Sequence, residues 1–288
     1  MVAAHHVRSI SLPSRSHPSA HKVEEELNKL RTWEASSTLT STSGPILIGL
    51  AGIADLCSSM DDLLNMASIQ EVLSRHKDEL CMNELLDRSV KFLDICGIAR
   101  DVMLQFKEQI RSLQSVSRRR KGDSTIESIL SSYTCFRKKM NKEAKRLIAS
   151  LKHINNKLGN LAFSEQDKHF SAMIQMLREV DMINICVLKS VLTFFSTPIS
   201  NSKQIKWSFV SKLMHKGMLT SEEKQEDMNE LENVDAVLCD GFAFKKKQRV
   251  QEVLEALEIH ISDIENGLER VFRCLIKTRV SMLNIFSR

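Results

Sequence analysis

The last segment of the chain, residues 245–287, has the most regular hydrophobic pattern. Apolar side chains recur there at alternating gaps of four and three residues, and Thr278 is the one polar side chain in the series. A seven-residue repeat of this length predicts a helix with a left-handed supercoiled packing seam. The best-defined part of this seam comprises Leu254, Leu257, Ile261, Ile264, Leu268, Val271 and Leu275.

The positions that flank the seam distinguish a two-stranded coiled coil from one helix of a bundle. A two-stranded zipper carries charged residues on both sides of its seam. One flank here fits that pattern, with Glu258, Glu265, Phe272 and Arg279. The other flank is small or apolar, with Val253, His260, Gly267, Cys274 and Ser281. The buried face is therefore wider than a zipper seam, which favours a bundle, and the row Gly267, Cys274 and Ser281 would admit a close helix backbone.

Helical spacing of apolar residues continues through most of the remaining chain. Seven further helices are predicted, over residues 22–33, 45–66, 78–114, 124–158, 165–195, 204–214 and 220–238. The chain has only 9 glycines and 4 prolines, too few for the many turns that a β-rich fold of this length needs. We therefore expect an all-α protein, an elongated bundle of long antiparallel helices.

The amino-terminal segment differs from the rest in composition. Residues 1–21 are rich in Ser, His and Pro and contain no acidic residue. This composition predicts a disordered basic tail, followed by one helical-bundle domain over residues 22–288. Small polar residues at 35–44 predict a linker inside that domain.

Charge, cysteine usage and hydropathy bear on the cellular location. The formal net charge is +5, too small by itself to indicate a nucleic-acid partner. The 7 cysteines are widely separated, which favours reduced thiols over a disulfide framework. Residues 1–22 lack the apolar core of a signal peptide, and no run reaches the ~18–20 apolar residues of a membrane helix. We expect a cytoplasmic protein, with the nucleus or a peripheral membrane location as alternatives.

Motifs for catalysis or cofactor binding are missing from the sequence. The glycine spacing of Gly44 and Gly49 matches a phosphate loop, but Leu50 and Ala51 stand where that loop needs Lys and Ser or Thr. No zinc-protease, nucleophile-elbow or EF-hand motif occurs. We therefore expect no catalytic residue, no cofactor and no metal site.

Basic residues concentrate in the middle of the chain. The candidate basic surface comprises Arg118, Arg119, Arg120, Lys121, Arg137, Lys138, Lys142 and Lys145. Such a surface suits an anionic membrane. The interpretation that we favour is an intramolecular contact with the acidic segment 222–235. Nucleic acid ranks last, because only Tyr133 and Phe136 lie nearby for base stacking.

The tail contains the most specific short motif, RSISLP at residues 8–13. Arg8 stands three residues before Ser11, as basophilic kinases require, and Pro13 follows two residues later. Phosphorylation of Ser11 would complete a sequence that 14-3-3 proteins recognise. Those proteins bind the phosphate with a cluster of arginines. The alternative is a chance match, since short motifs arise often in disordered tails.

Several stretches together resemble one plant family. They include GLAGIADLCSSMDDLLNM, LLDRSVKFLDICGIARDVMLQFKEQIRSLQSVSRRRKG and LEIHISDIENGLERVFRCLIKTRVSMLNIFS, in the same order along the chain. These stretches look like the plant BYPASS-like group. The resemblance implies a helical protein associated with root and shoot development, and it implies no catalytic residue, substrate or cofactor.

These observations predict a non-enzymatic regulatory or scaffold protein that acts through helix-mediated protein contacts, with Ser11 as a candidate phospho-switch. The alternative is a peripheral membrane protein that uses the basic surface. The sequence leaves the oligomeric state open.

Overall fold

The computed structural model describes residues 18–37, 42–77, 79–118, 123–158, 167–197, 229–239 and 247–287. These residues form eight helices and no strand, which confirms the all-α prediction. The helices are α1 (Pro18–Ser37), α2 (Ser43–Leu64), α3 (Ala67–Arg75), α4 (Leu80–Arg118), α5 (Asp123–Leu158), α6 (Lys168–Phe195), α7 (Glu230–Cys239) and α8 (Lys247–Phe286).

Helix α8 carries the heptad seam and lies against α4 and α2, its two most extensive partners. The seven seam residues Leu254–Leu275 are each at most 6% exposed. Both partners belong to the same chain, so the seam packs inside a bundle, as the wide apolar flank predicts. The seam continues to Ile285, which is also buried.

The small flank of α8 faces α2. A Cβ atom added to Gly267 would lie 2.9 Å from Leu50 Cδ1, so only glycine leaves room for Leu50. Farther along, the Cys274 thiol approaches the Ala54 carbonyl oxygen at 3.8 Å. These pairings advance together along both helices, so α2 and α8 run parallel. The predicted antiparallel arrangement therefore includes a parallel pair at its centre.

The charged flank of α8 faces α4, and here the two helices are antiparallel. Arg111 Nε lies 2.7 Å from Glu258 Oε1, and Arg118 lies 3.0 Å from Glu255. The Phe272 ring lies under the Arg100 guanidinium, 4.9 Å from its centroid. Ion pairs therefore line the edge of the α4–α8 interface, and the apolar seam residues form its centre.

Helix α1 begins earlier and ends later than predicted. Ala20 and Val23 are fully buried, so the apolar stripe of α1 extends back into the predicted tail and Pro18 starts the helix. Proline is favoured in the first turn of a helix because its missing N–H has no partner there anyway. At the other end, α1 reaches Ser37, and Ser43 already begins α2, so residues 35–37 and 43–44 of the predicted 35–44 linker are helical.

The predicted helix 45–66 starts at Ser43 and ends at Leu64, and the separate helix α3 follows it. The predicted helix 204–214 lies outside the described residues.

Among the described helices, α2 is the one that is long and apolar enough to cross a membrane. This segment was not predicted from the sequence as a candidate membrane helix. In the structure 56% of its apolar window is buried in the bundle. Such burial is typical of a core helix, which passes the same test of length and composition.

Candidate functional site: an exposed apolar face and a buried polar centre

The tail motif and part of the basic surface lie outside the described residues. This applies to Arg8, Ser11 and Pro13, and to Arg119, Arg120 and Lys121. Arg118 is described, and its exposed guanidinium forms the ion pair with Glu255 given above.

Three lysines form an exposed basic row along α5. Lys138, Lys142 and Lys145 are spaced four and three residues apart and are all exposed. No ion pair involves any of them within the described part of the chain. This row is therefore the part of the predicted basic surface that keeps its charge available to solvent.

Arg137 does not belong to this surface, which corrects the sequence-based assignment. Its side chain is 0% exposed, and its guanidinium lies 2.9 Å from Asp235 Oδ2. The Tyr133 hydroxyl donates to the other oxygen of Asp235 at 2.7 Å, and Arg137 also donates to the Thr197 carbonyl at 3.3 Å. Burial works against the charged form of Arg137, but Asp235 outweighs it, so the pKa of Arg137 is raised. The arginine ties α5 to α7 and to the end of α6.

This contact also bears on the acidic segment 222–235. Residues 222–228 lie outside the described part, and Asp235 is the acid that reaches α5 within it. Within the described part of the chain, this intramolecular pairing therefore involves the buried Arg137 and not the lysine row.

A different exposed surface lies where α4 and α8 meet. Phe272 packs beside Gly97, and Arg279 donates to the Leu86 carbonyl at 2.6 Å, which fixes the register of the two helices. The helix periodicity then places the exposed aliphatic side chains on the outside of this pair. They include Val90, Ile276, Val280 and Leu283, with exposed fractions of 38%, 41%, 48% and 41%. We call these four residues the α4/α8 face.

A buried polar centre lies beneath this face, between α2, α4, α6 and α8. Arg88 is 1% exposed and its Nε lies 3.5 Å from Asp181 Oδ2, but none of its nitrogens has a hydrogen-bond acceptor among the described residues. Asn184 Oδ1 and Thr278 Oγ1 also lack partners there. Asp181, Asn184 and Thr278 line one cavity of about 40 Å³.

The size of this cavity suits internal hydration. One buried water needs roughly 10–15 Å³, so a cavity of about 40 Å³ has room for about three or four waters. Typical ligand pockets reach several hundred Å³. Burial raises the pKa of Asp181 to about 7, against the opposing effect of the Arg88 charge.

A histidine clasp joins the α3–α4 turn to the start of α6. His76 Nδ1 lies 2.6 Å from Glu79 Oε1, and His76 Nε2 lies 3.3 Å from Asp167 Oδ2. The imidazole stacks on Phe170 with 4.1 Å between ring centroids. Asp167 also caps α6 by accepting from the backbone N–H groups of His169 and Phe170. These backbone hydrogen bonds, that from Phe170 foremost, and His76 lower the pKa of Asp167 despite its partial burial.

Comparison with known proteins assigns the family. The family model described as Protein BPS1 matches residues 49–285. The chain belongs to the BPS1 family. This agrees with the BYPASS-like resemblance, and it makes the chain a plant protein related to development. No curated protein and no solved structure matches it.

The region matched by the BPS1 family contains the α4/α8 face, the buried polar centre and the histidine clasp, whereas the tail motif at 8–13 precedes it. Among the described residues of this BPS1 family chain, no group of three or more His, Cys, Asp or Glu side chains is placed to hold a metal ion. Six cysteines are free thiols: Cys57, Cys81, Cys96, Cys135, Cys186 and Cys274.

Most of these residues could not be identified from the sequence, for one reason. Arg88 and Asp181, and likewise His76 and Asp167, are separated by about ninety positions, so only the fold brings them together. Thr278 is the exception, because a polar residue in an apolar repeat was a visible signal of a polar layer in the core.

Proposed function

We propose that the chain is a non-enzymatic regulatory or scaffold protein of plant root and shoot development that acts through helix-mediated protein contacts. The α4/α8 face carries this proposal. Its four exposed aliphatic side chains come from two long, rigid helices, and surfaces of this kind are typical of helix-docking sites. The seam residues of α8 are buried inside the bundle, so contacts with a partner would use the outer side of the same helix.

Affinity capture from plant extract tests the proposal. The bait is the full chain, compared with Ile276→Glu/Leu283→Glu, and we expect this double variant to lose the partners that the wild type retains. Ile259→Glu is the matched control, because Ile259 is a 61% exposed aliphatic residue of α8 that lies outside the α4/α8 face. Equal capture by all three baits would contradict the proposal.

Regulation at Ser11 belongs to the same proposal. Phosphorylation would add a charge close to −2 that a 14-3-3 arginine cluster can bind. The full chain phosphorylated at Ser11 should bind 14-3-3 protein, and Ser11→Ala treated with the same kinase should not. Equal binding by the unphosphorylated chain would remove the switch.

The alternative function is binding to an anionic membrane surface through the α5 lysine row. Lys138, Lys142 and Lys145 favour this alternative, because they are exposed and form no ion pair with any other described residue. Each lysine near such a surface contributes about 1 kcal/mol, so neutralising all three should weaken vesicle binding by roughly a hundredfold. Flotation with phosphatidylserine vesicles, comparing the wild type with Lys138→Gln/Lys142→Gln/Lys145→Gln, measures this. Absence of flotation at low salt would end the alternative.

A further inference from the structure

We infer that the α4/α8 face binds a second copy of this chain, in a two-fold arrangement whose axis runs parallel to α4 and α8. The inference rests on the proposed function, because it assigns a partner to the same face. Three properties of the face carry it: exposed aliphatic side chains, opposite charges on its two sides, and its size.

The exposed aliphatic residues form an apolar stripe at the centre of the face. Ile276, Val280 and Leu283 follow one another at spacings of four and three residues, so they form a stripe along the outside of α8. Val90 of α4 extends the stripe across the groove, and the partly buried Leu86 and Phe272 line its floor. A stripe of this kind resembles the apolar core of a protein interface more than scattered surface leucines.

The two helices carry opposite charges beside this stripe. On α4 the exposed charged residues between 87 and 101 are Asp87, Lys91, Asp94 and Asp101. On α8 the exposed charged residues between 269 and 284 are Arg270, Arg273 and Lys277. The α4 side is therefore acidic and the α8 side is basic. Arg273 and Lys277 bind Glu269 and Asp61 of their own chain, yet their side chains stay 75% and 66% exposed.

This charge pattern selects the partner and its orientation. Rotation by half a turn about an axis along the groove places α4 of one copy over α8 of the other, so acidic residues meet basic ones. Rotation about the perpendicular axis in the interface would place α4 over α4 and α8 over α8, where like charges repel. An anionic membrane would meet the same repulsion from Asp87, Asp94 and Asp101. A second copy places opposite charges against both the acidic α4 side and the basic α8 side of the face.

The size of the face determines how strongly two copies are expected to associate. Residues 86–104 of α4 span roughly 28 Å, and two adjacent helices are roughly 20 Å wide, so each copy would bury about 550 Å². The total of about 1,100 Å² lies at the lower limit of specific interfaces. We therefore expect a concentration-dependent dimer with a dissociation constant in the micromolar range.

Sedimentation equilibrium of the full chain tests the inference, over loading concentrations from about 1 to about 200 µM. The wild type and the control Ile259→Glu should pass from monomer to dimer across this range. The variant Ile276→Glu/Leu283→Glu should stay monomeric throughout, with an unchanged far-ultraviolet circular dichroism spectrum. A wild type that is monomeric at every concentration, or a dimer that survives the double substitution, would overturn the inference.

Charge reversal tests the orientation independently. Asp94→Arg/Asp101→Arg and Arg270→Glu/Arg273→Glu should each weaken self-association at least tenfold, and a mixture of the two variants should form heterodimers. If the mixture does not associate, the proposed two-fold axis is wrong.

The outcomes separate this inference from the proposed function. A monomeric wild type whose captured plant partners are lost in Ile276→Glu/Leu283→Glu would leave the proposed function standing and reject self-association. Binding of a monomeric wild type to phosphatidylserine vesicles, lost in the same variant, would assign the face to a membrane and reject both.

Discussion

Gly267 at the α2–α8 contact and Gly97 at the α4–α8 contact should respond to alanine substitution in opposite directions. Gly267 of α8 lies under Leu50, and an added Cβ would approach Leu50 Cδ1 at 2.9 Å and Leu50 Cβ at 3.2 Å. Leu50 is 1% exposed, so it has little room to move. Overpacking a core costs about 1–3 kcal/mol, whereas replacing a mid-helix glycine by alanine gains about 1 kcal/mol. Gly267→Ala should therefore destabilise the chain by about 1 kcal/mol.

Gly97 of α4 provides the matched comparison. The nearest atom to its added Cβ is Phe272 Cε2 at 3.9 Å, an ordinary van der Waals contact. The helix-propensity gain then stands alone, so Gly97→Ala should stabilise the chain by about 0.5–1 kcal/mol. The two variants should differ by roughly 2 kcal/mol although both are mid-helix Gly→Ala changes.

Urea unfolding followed by circular dichroism at 222 nm measures both variants against the wild type. Equal stabilisation by the two substitutions would refute the close approach of α2 to α8. A double variant gives a further check. With Leu50→Ala present, the crowding is removed, and Gly267→Ala should become neutral or stabilising.

Three further substitutions test other contacts of the described helices. Asp235→Ala should destabilise the chain by about 3–5 kcal/mol in urea unfolding, because it leaves Arg137 charged and buried without its partner; a loss below about 1 kcal/mol would contradict the buried pair. The folded pKa of Asp181 is about 7, above the unfolded value, so the stabilising protonated form is lost as pH rises from 5 to 8. Asp181→Asn should therefore abolish the loss of stability that the wild type shows over this range. Parallel stability–pH profiles of the wild type and the variant would refute this. Asp167→Ala should cost about 1 kcal/mol at pH 7 through loss of the α6 cap. That difference should begin to shrink as pH falls below 3.8 and should vanish only below the folded pKa, because a lowered carboxyl pKa contributes stability that is lost as pH falls through the folded value.

The helical class and the packing role of α8 could be predicted from sequence because both depend on local periodicity. The repeat from Leu254 to Leu275 specifies a buried stripe wherever the helix is placed, and the glycine at 267 marks a close neighbour without identifying it. Which helix lies there, and that α2 runs parallel to α8, depends on the paths of intervening segments. Periodicity carries no information about those paths.

Electrostatic roles were harder to predict than packing roles. Arg137 occurs in a run of basic residues, yet it lies on the inner side of α5 and binds Asp235 in the core, whereas the adjacent Lys138 is exposed. Whether a basic side chain of α5 is buried or exposed depends on the side of the helix on which it lies. The spacing of the apolar residues of α5 could have indicated that Arg137 lies on the buried side. The pairing of Arg88 with Asp181 had no such local signal.

The parallel pair at the centre of the bundle has a consequence for biosynthesis. The ribosome makes α8 well after α2 and α4, yet α8 covers the apolar sides of both of these helices. Those sides therefore stay exposed until α8 has been synthesised, and chaperones would bind them during that interval. A premature stop codon upstream of residue 247 would leave them exposed permanently, so such a nonsense allele should yield a polypeptide destined for degradation.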